Sequence, residues 1–426
     1  MLTRRQVLSA PVVLAAQQSA QQAPKPNFIV ITLDDLGCTD LGCYGARDIK
    51  TPHIDALAAD GIRFTNWYSN APVCAPARAS ILTGLYPGHA GVATNGPALP
   101  TTSKTIADYL KPAGYRSALV GKWHLGTPPD ASPMQRGFDE YYGFHSGCVD
   151  YYSHRYYWGD PKIPNYHDLF RNGKEIFEDG QYLTERLTQE ACAFVKRAAA
   201  APFFLYLAYN APHYPMHAPQ KYLDRFKSLE PERRTYAAMI SAVDDGIGQL
   251  RDTLQRNGVD KNTLIVLLGD NGATTEARAG LNGKPATAGS NGPYRGHKFS
   301  LFDGGMHVPC IWHNPLQPSP RKIDDGLHMS MDILPTIVQY AGLEQPPALD
   351  GSPLQQPRET LFWKQGAQMA IRKGQWKLVV KGIGSPDEYF LSDLSTDAGE
   401  SKNLRTDHPA KLDELLTLLH GWAQTQ

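Results

Sequence analysis

The chain has 426 residues, enough to bury a large core in one big domain with a smaller appendage, or in two domains. Hydrophobic residues make up 42% and charged residues 20%, the balance of an ordinary soluble protein. Lysine plus arginine and aspartate plus glutamate both number 42, which argues against nucleic acid or an anionic membrane as a partner. The six cysteines (Cys38, Cys43, Cys74, Cys148, Cys192 and Cys310) show no C-x-x-C pairing, which speaks against a zinc site or a disulfide scaffold.

At the N-terminus, Arg4 and Arg5 precede a short apolar run from Val7 to Ala16 that cannot span a bilayer. The pattern resembles a bacterial twin-arginine export signal. Residues 1–23 are therefore expected to be removed, with cleavage between Ala15 and Ala23, and the protein is expected in the periplasm or the medium without stable membrane association.

Asn27 to Leu33 is a continuous apolar run of strand length, the mark of a strand buried on both faces of a parallel sheet. It ends in Asp34-Asp35-Leu36-Gly37. Next, Ala75 to Leu82 reads as a helix with Pro76 tolerated in its first turn and Cys74 at its N-terminus, where backbone N–H groups favour an anion. Arg78 lies four residues on and returns to the face of Cys74. The strand pattern then repeats. Ser117–Val120 runs into Lys122-Trp123-His124, Phe203–Ala208 into Asn210-Ala211-Pro212-His213, and Leu264–Leu268 into Gly269-Asp270-Asn271. Any one such end reads as a loop. Four together point to a shared crevice at the carboxyl ends of the strands.

Helical patterns separate the strands. After Pro231, apolar residues from Tyr236 to Leu254 recur at three- and four-residue steps, and Asp244 and Asp245 within them read as structural. A further helix is expected from Leu327 to Leu343. The alternation predicts a three-layer α/β/α sandwich around a large, mainly parallel mixed sheet. Pro346-Pro347 and Asp350-Gly351-Ser352-Pro353 mark a boundary between a catalytic domain, 24–345, and a smaller subdomain, 346–426. In the latter, short strands at Thr360–Trp363, Met369–Arg372, Trp376–Val380 and Tyr389–Leu391 predict a small antiparallel sheet, packed with a helix over Pro409–Ala423.

Asp34, Asp35, Asp270 and Asn271 offer only oxygen ligands, a set for a hard cation such as calcium or magnesium rather than zinc. A native thiol at Cys74 would be a poor companion for such an ion, whereas an oxygen at that position would suit it.

Cys74-Ala75-Pro76-Ala77-Arg78 followed by Ala79-Ser80-Ile81-Leu82-Thr83-Gly84 resembles the signature of the type I sulfatases of the alkaline phosphatase superfamily. Gly114-Tyr115 through Gly121-Lys122-Trp123-His124-Leu125-Gly126 looks like the second sulfatase signature. Gly137-Phe138-Asp139, Asp270-Asn271-Gly272 and Arg295 through Lys298 to Gly305 fit as well, so that the likeness spans roughly Pro26 to Leu404. It implies that Cys74 is oxidised to formylglycine by a formylglycine-generating or anaerobic sulfatase-maturating enzyme. Asp34, Asp35, Asp270 and Asn271, with the modified Cys74, would bind one divalent cation, usually calcium. The hydrated aldehyde would attack sulfur, and Arg78, Lys122 and Lys298 would neutralise sulfate oxygens. His213, with Lys298, would protonate the leaving alcohol, and His124 would take a proton from the second hydroxyl of the diol. His217 stands as an outer substrate contact.

The chain departs from the family pattern at Ala77, where serine is usual, and at His297, Asp303 and His307, none of which the chemistry needs. Tyr151, Tyr152, Tyr156, Tyr157 and Trp158 could stack on a sugar or aryl ring or pack a long loop. A sulfated carbohydrate is the expected substrate. The alternatives are an aryl sulfate, a phosphodiester or phosphonate monoester on the same scaffold, or an exported binding protein whose Cys74 is never oxidised.

Overall fold

The computed structural model describes residues 25–157, 162–318 and 322–425. The export signal expected over 1–23, and Trp158, lie outside them. The strands are β1 (Asn27–Leu33), β2 (Ile62–Phe64), β3 (Trp67–Tyr68), β4 (Arg116–Lys122), β5 (Glu140–Phe144), β6 (Phe170–Arg171), β7 (Lys174–Glu175) and β8 (Phe203–Ala208). They continue with β9 (Thr263–Gly269), β10 (Cys310–His313), β11 (Ile323–Asp324), β12 (His328–Met329), β13 (Thr360–Gln365), β14 (Gln368–Lys373), β15 (Trp376–Val380) and β16 (Tyr389–Asp393).

Ten of them form one sheet in the order β11-β2-β10-β9-β1-β8-β4-β5-β6-β7. The central run β9-β1-β8-β4-β5 is parallel throughout, so Gly269, Leu33, Ala208 and Lys122 all end at one edge. β10 joins antiparallel and makes the sheet mixed. Every residue of β1, β8 and β9 is buried, which explains why these strands read as unbroken apolar runs rather than as alternations.

The helices are α1 (Pro52–Asp60), α2 (Cys74–Thr83), α3 (Ile106–Leu110), α4 (Leu183–Ala198), α5 (Gln220–Leu223), α6 (Pro231–Arg256), α7 (Asp303–Met306), α8 (Ile333–Tyr340) and α9 (Pro409–Ala423). Alternate residues of each strand feed two separate cores. Ile29, Ile31, Leu205 and Leu207 meet Leu187 and Phe194 of α4 and Met239, Val243 and Ile247 of α6. On the opposite face Phe28, Val30, Phe204 and Val266 meet Ile81 and Leu82 of α2 and Leu334 and Ile337 of α8. This is the three-layer α/β/α arrangement.

Asp244 and Asp245 in α6 have distinct partners. Asp245 pairs with Arg225 at 2.7 Å, whereas Asp244 Oδ1 accepts the backbone N–H groups of His53 and Ile54 at 3.1 and 2.8 Å. Thr51, which precedes α1, makes no side-chain cap of its own. Asp244 thus caps α1 from another helix, and Asp244→Ala should cost about 1–2 kcal/mol in a urea titration. Wild-type stability in that variant would show that α1 does not depend on the bond.

The helix expected from Leu327 to Leu343 is shorter, because its first part is held across the chain. His328–Met329 pairs with β3, the Met331 N–H donates to Asn70 Oδ1 at 2.9 Å, and Asp332 accepts from the Met329 N–H at 2.9 Å and from Arg358 at 2.6 Å. Only Ile333–Tyr340 is α-helical, after a short 3₁₀ turn at Ser330–Asp332.

Strands β13 to β16 form a separate antiparallel sheet. One face carries Leu415 and Leu419 of α9 against Ile371, Leu378 and Leu391. The other places Trp363, Ala370 and Val379 against Leu301, Phe302 and Tyr68. Beneath this contact a fully buried Lys377 pairs with Asp303 at 2.5 Å and Glu400 at 3.2 Å.

Candidate active site

Helix α2 is buried along its whole length and carries Cys74 as its first residue. Val73 before it is extended, Pro76 in the first turn has no N–H to leave unpaired, and Gly84 ends the helix at φ 69°. The Ala75 N–H donates to Asn95 Oδ1 at 3.0 Å. Cys74 Sγ stands 3.3 Å from Asp34 Oδ1 and 3.7 Å from Asp35 Oδ1. Burial and the Asp34 charge push its thiol well above the usual range, so it stays protonated.

Arg78, fully buried, sends Nε and Nη2 to Asp270 Oδ2 at 3.0 and 2.8 Å, and lies 3.5 Å from Asp34 Oδ1. It therefore ties two neighbouring strand ends together. Lys122, last residue of β4, donates to Asp34 Oδ2 at 2.6 Å. Burial alone would raise the Asp34 carboxyl, but Lys122, His213 and Arg78 hold it well below the usual carboxylate range.

Asp35, at φ 57°, turns its backbone N–H onto Asp270 Oδ1 at 3.1 Å. Asn271 Nδ2 donates to Asp35 Oδ1 at 2.6 Å, which leaves Asn271 Oδ1 buried with no partner among the described residues. Lys298 Nζ lies 3.0 Å from Asp35 Oδ2, 3.1 Å from Glu276 Oε2 and 3.4 Å from His213 Nε2. Burial disfavours its ammonium, yet Asp35 keeps it charged, well above its ordinary value. His213 Nδ1 donates to the Tyr214 carbonyl at 2.6 Å, and the Tyr214 ring stacks on the imidazole at 4.1 Å.

His124 sits just past β4 with φ 56°. Its Nδ1 is buried without a partner among the described residues, and burial together with Lys122 and Arg78 holds its pKa well below the ordinary value, so the ring is neutral. The close approach of Nε2 requires glycine at position 147, where a Cβ would come within 2.7 Å of it.

The structure thus brings Asp34, Asp35, Asp270, Asn271, Cys74, Arg78, Lys122, His124, His213 and Lys298 to one end of the sheet. His217 is not among them. It is half-exposed, lies 3.4 Å from Asp150, and packs beside Tyr151 and Tyr152. His307 holds the Thr65 carbonyl at 2.8 Å, and His297 the Lys298 carbonyl at 2.8 Å. Sequence reasoning missed Glu276 and Asn95, which stand in turn-rich loops without a motif of their own, and Tyr214, hidden beside the more conspicuous histidine.

A comparison with known proteins gives this geometry a context. Residues 26–343 match the Sulfatase family. The chain belongs to the sulfatase family. It is 34% identical to the N-acetylgalactosamine-6-sulfatase of Rattus norvegicus, covering 88% of this chain and 75% of the relative. Among solved structures it resembles Ps i-CgsB, crystallised in complex with k-i-k-neocarrahexaose, at 33% identity and a TM-score of 0.84, covering 93% and 92% of the two chains. The phosphonate monoester hydrolase of Agrobacterium radiobacter, at 22% identity, a TM-score of 0.69 and coverage of 94% and 96%, shares the fold.

The protein is therefore a sulfatase, a hydrolase of the alkaline phosphatase superfamily. Among the described residues no helix is long and apolar enough to cross a membrane. In this sulfatase, Tyr151 is packing rather than a platform for substrate. Its buried hydroxyl stands 2.8 and 2.9 Å from the carbonyls of Asn210 and His213 and fixes the loop that carries His213. Tyr151→Phe should destabilise the fold by about 1–3 kcal/mol, because both carbonyls lose their buried donor. It should also lower kcat more than it raises KM, and an unchanged kcat would separate Tyr151 from the His213 loop.

Proposed function

We propose that this sulfatase hydrolyses the sulfate monoester of a sulfated carbohydrate, using a formylglycine made from Cys74 and one divalent cation, calcium before magnesium. The observation that carries the reading is the setting of Cys74: a buried thiol, kept protonated, wedged between two carboxylates and surrounded by Arg78, Lys122 and Lys298. A thiolate nucleophile is disfavoured there, and an oxygen at the same position would fit the acids and the amide around it.

The residues fit a hard cation. Ligand atoms of Asp34, Asp35, Cys74 and His213 lie within 4.8 Å of one another, and the orphaned Asn271 Oδ1 is an oxygen donor in want of a partner. Asp34, Asp35, Asp270 and Asn271 would hold the ion, and His213 is assigned to proton transfer. When present, the cation would polarise a sulfate oxygen and the hydrated formylglycine would supply the attacking hydroxyl.

The chain's own groups would do the rest. Lys122 and Lys298, pinned by Asp34 and Asp35, neutralise charge on the sulfate oxygens without having to reorganise. Arg78 holds Asp34 and Asp270 in place and adds its positive charge to the site. The proton for the departing alcohol comes from the pair Lys298 and His213, where Nδ1 is fixed on the Tyr214 carbonyl and Nε2 faces the ammonium. His124, neutral and with no partner for Nδ1 among the described residues, is ready to accept a proton as sulfate leaves.

The carbohydrate assignment rests on the N-acetylgalactosamine-6-sulfatase relative and on the neocarrahexaose complex. The same reading takes residues 1–23 as a twin-arginine export signal, 24–345 as the catalytic domain and 346–426 as the subdomain, with a maturation enzyme as the transient partner. The test is kcat/KM of protein made in its own host on a panel of sulfated saccharides, an aryl sulfate and a phosphonate monoester. Highest values on a sulfated saccharide are expected. Activity confined to aryl sulfates, or faster phosphonate cleavage, would reject the proposal.

A further inference from the structure

We infer that Gln368, on the small C-terminal sheet, is a positioning residue for the reaction: it clamps the left-handed backbone of Phe299 and so fixes Lys298, the residue before it. This rests on the role given to Lys298 above and not on the carbohydrate assignment.

Phe299 stands at φ 77°, a conformation that a bulky side chain avoids and that surrounding bonds must impose. Its N–H donates to the carbonyl of Pro72, two residues before Cys74, at 2.8 Å. Its carbonyl accepts from Gln368 Nε2, also at 2.8 Å. Gln368 is only 6% exposed, and its Oε1 accepts the N–H groups of Ile383 at 3.0 Å and Leu301 at 3.4 Å. Two donors at one end of the amide dictate which end is oxygen, so the amino group faces Phe299. Among the described residues the Gln368 side chain bonds to main-chain groups alone, so its effect on the chemistry passes through Lys298.

The base of this clamp is firm. Gln368 opens β14 and pairs with Gln365 across the turn at Gly366-Ala367, while the Trp363 N–H on β13 is tied to the Ser69 carbonyl at 2.8 Å. The C-terminal subdomain also anchors both ends of the segment that carries Lys298. Arg295 donates to the Gly384 carbonyl at 2.8 Å, and the Asp303 N–H donates to Glu400 Oε2 at 2.6 Å. Gln368 holds the middle.

Lys298 has no slack to absorb a shift of this backbone. Its N–H is held by the Ala273 carbonyl at 3.0 Å, and its buried Nζ meets Asp35, Glu276 and His213 at 3.0, 3.1 and 3.4 Å. Relaxation of the Phe299 peptide toward an ordinary φ would swing the lysine stem, and a displacement of about 1 Å at a catalytic group can cost about 10²-fold.

The test is kcat of the matured protein on whichever sulfate ester the wild type cleaves fastest. Gln368→Met keeps the length of the side chain but not the amide, and should lower kcat by about 10- to 100-fold with KM changed less than about threefold. Gln368→Asn, a methylene too short to reach Phe299, should lower kcat severalfold. Lys298→Ala should lower it by about 10²–10³-fold. Adding Gln368→Met to Lys298→Ala should then cost no more than about twofold, because both changes act on one group. A merely structural glutamine would reduce kcat by the same factor in both backgrounds. That outcome overturns the inference, as does wild-type kcat in Gln368→Asn even if Gln368→Met misfolds. Wild-type kcat in Lys298→Ala instead overturns the reading of Lys298 beneath it.

Discussion

Replacing Cys74 by alanine should lower kcat on a sulfate ester by about 10⁶-fold, the scale seen when a nucleophile is removed from an otherwise intact site. The fold should survive. Cys74 is one small side chain at the start of a helix that the Asn95 cap, the buried Arg78 network and the core residues Ile81 and Leu82 continue to hold. Its loss should change stability by no more than about 1 kcal/mol. Cys74→Ser, shown by peptide mass to be left unoxidised, sharpens the point, since it keeps an oxygen beside Asp34 and Asp35 but has one hydroxyl where an aldehyde hydrate has two. It too should be inactive. Either variant retaining more than about 1% of wild-type kcat, by steady-state assay, would place the nucleophile elsewhere.

Asp270→Ala should be damaging in two separable ways. Asp270 is the direct hydrogen-bond partner of the buried Arg78 guanidinium, whose remaining carboxylate, Asp34, lies 3.5 Å away. Stranding that charge should cost about 3–5 kcal/mol in a urea titration. The same carboxylate also accepts the backbone N–H groups of Asp35 and Asn271 at 3.1 and 2.9 Å, so its loss loosens the residues that would hold the cation. Calcium affinity should fall by more than about 100-fold, measured by titration calorimetry. Asp270→Asn keeps acceptors for the N–H groups and should recover part of the stability while calcium binding stays weak. Wild-type stability in Asp270→Ala would mean that Arg78 does not depend on this acid, and unchanged calcium binding would remove Asp270 from the ligand set.

Much of this site was legible in the sequence because of where parallel strands stop. β1, β8 and β9 are buried on both faces, so their apolar runs end abruptly where the chain leaves the sheet, and Asp34, His213 and Asp270 follow within a few residues. Cys74 and Arg78 were readable as a pair because four residues make about one turn of a helix. Other features left no local trace. Glu276 reaches Lys298 from a long loop, and only the folded chain brings them to 3.1 Å. Asp244 looked like one more helical acid, and its role as the cap of α1 appears only when the two helices pack. The stretch from Leu327 carries helical periodicity, yet bonds to Asn70 and to β3, both distant in sequence, override it.

Peptide mass spectrometry on the sulfatase made in its own host tests the central claim most directly. Trypsin releases Phe64–Arg78, which holds Cys74 and no other cysteine. The account predicts that in active protein this peptide carries an aldehyde in place of the thiol and reacts with a hydrazide probe. A fully active preparation in which every copy of the peptide keeps its thiol would contradict it.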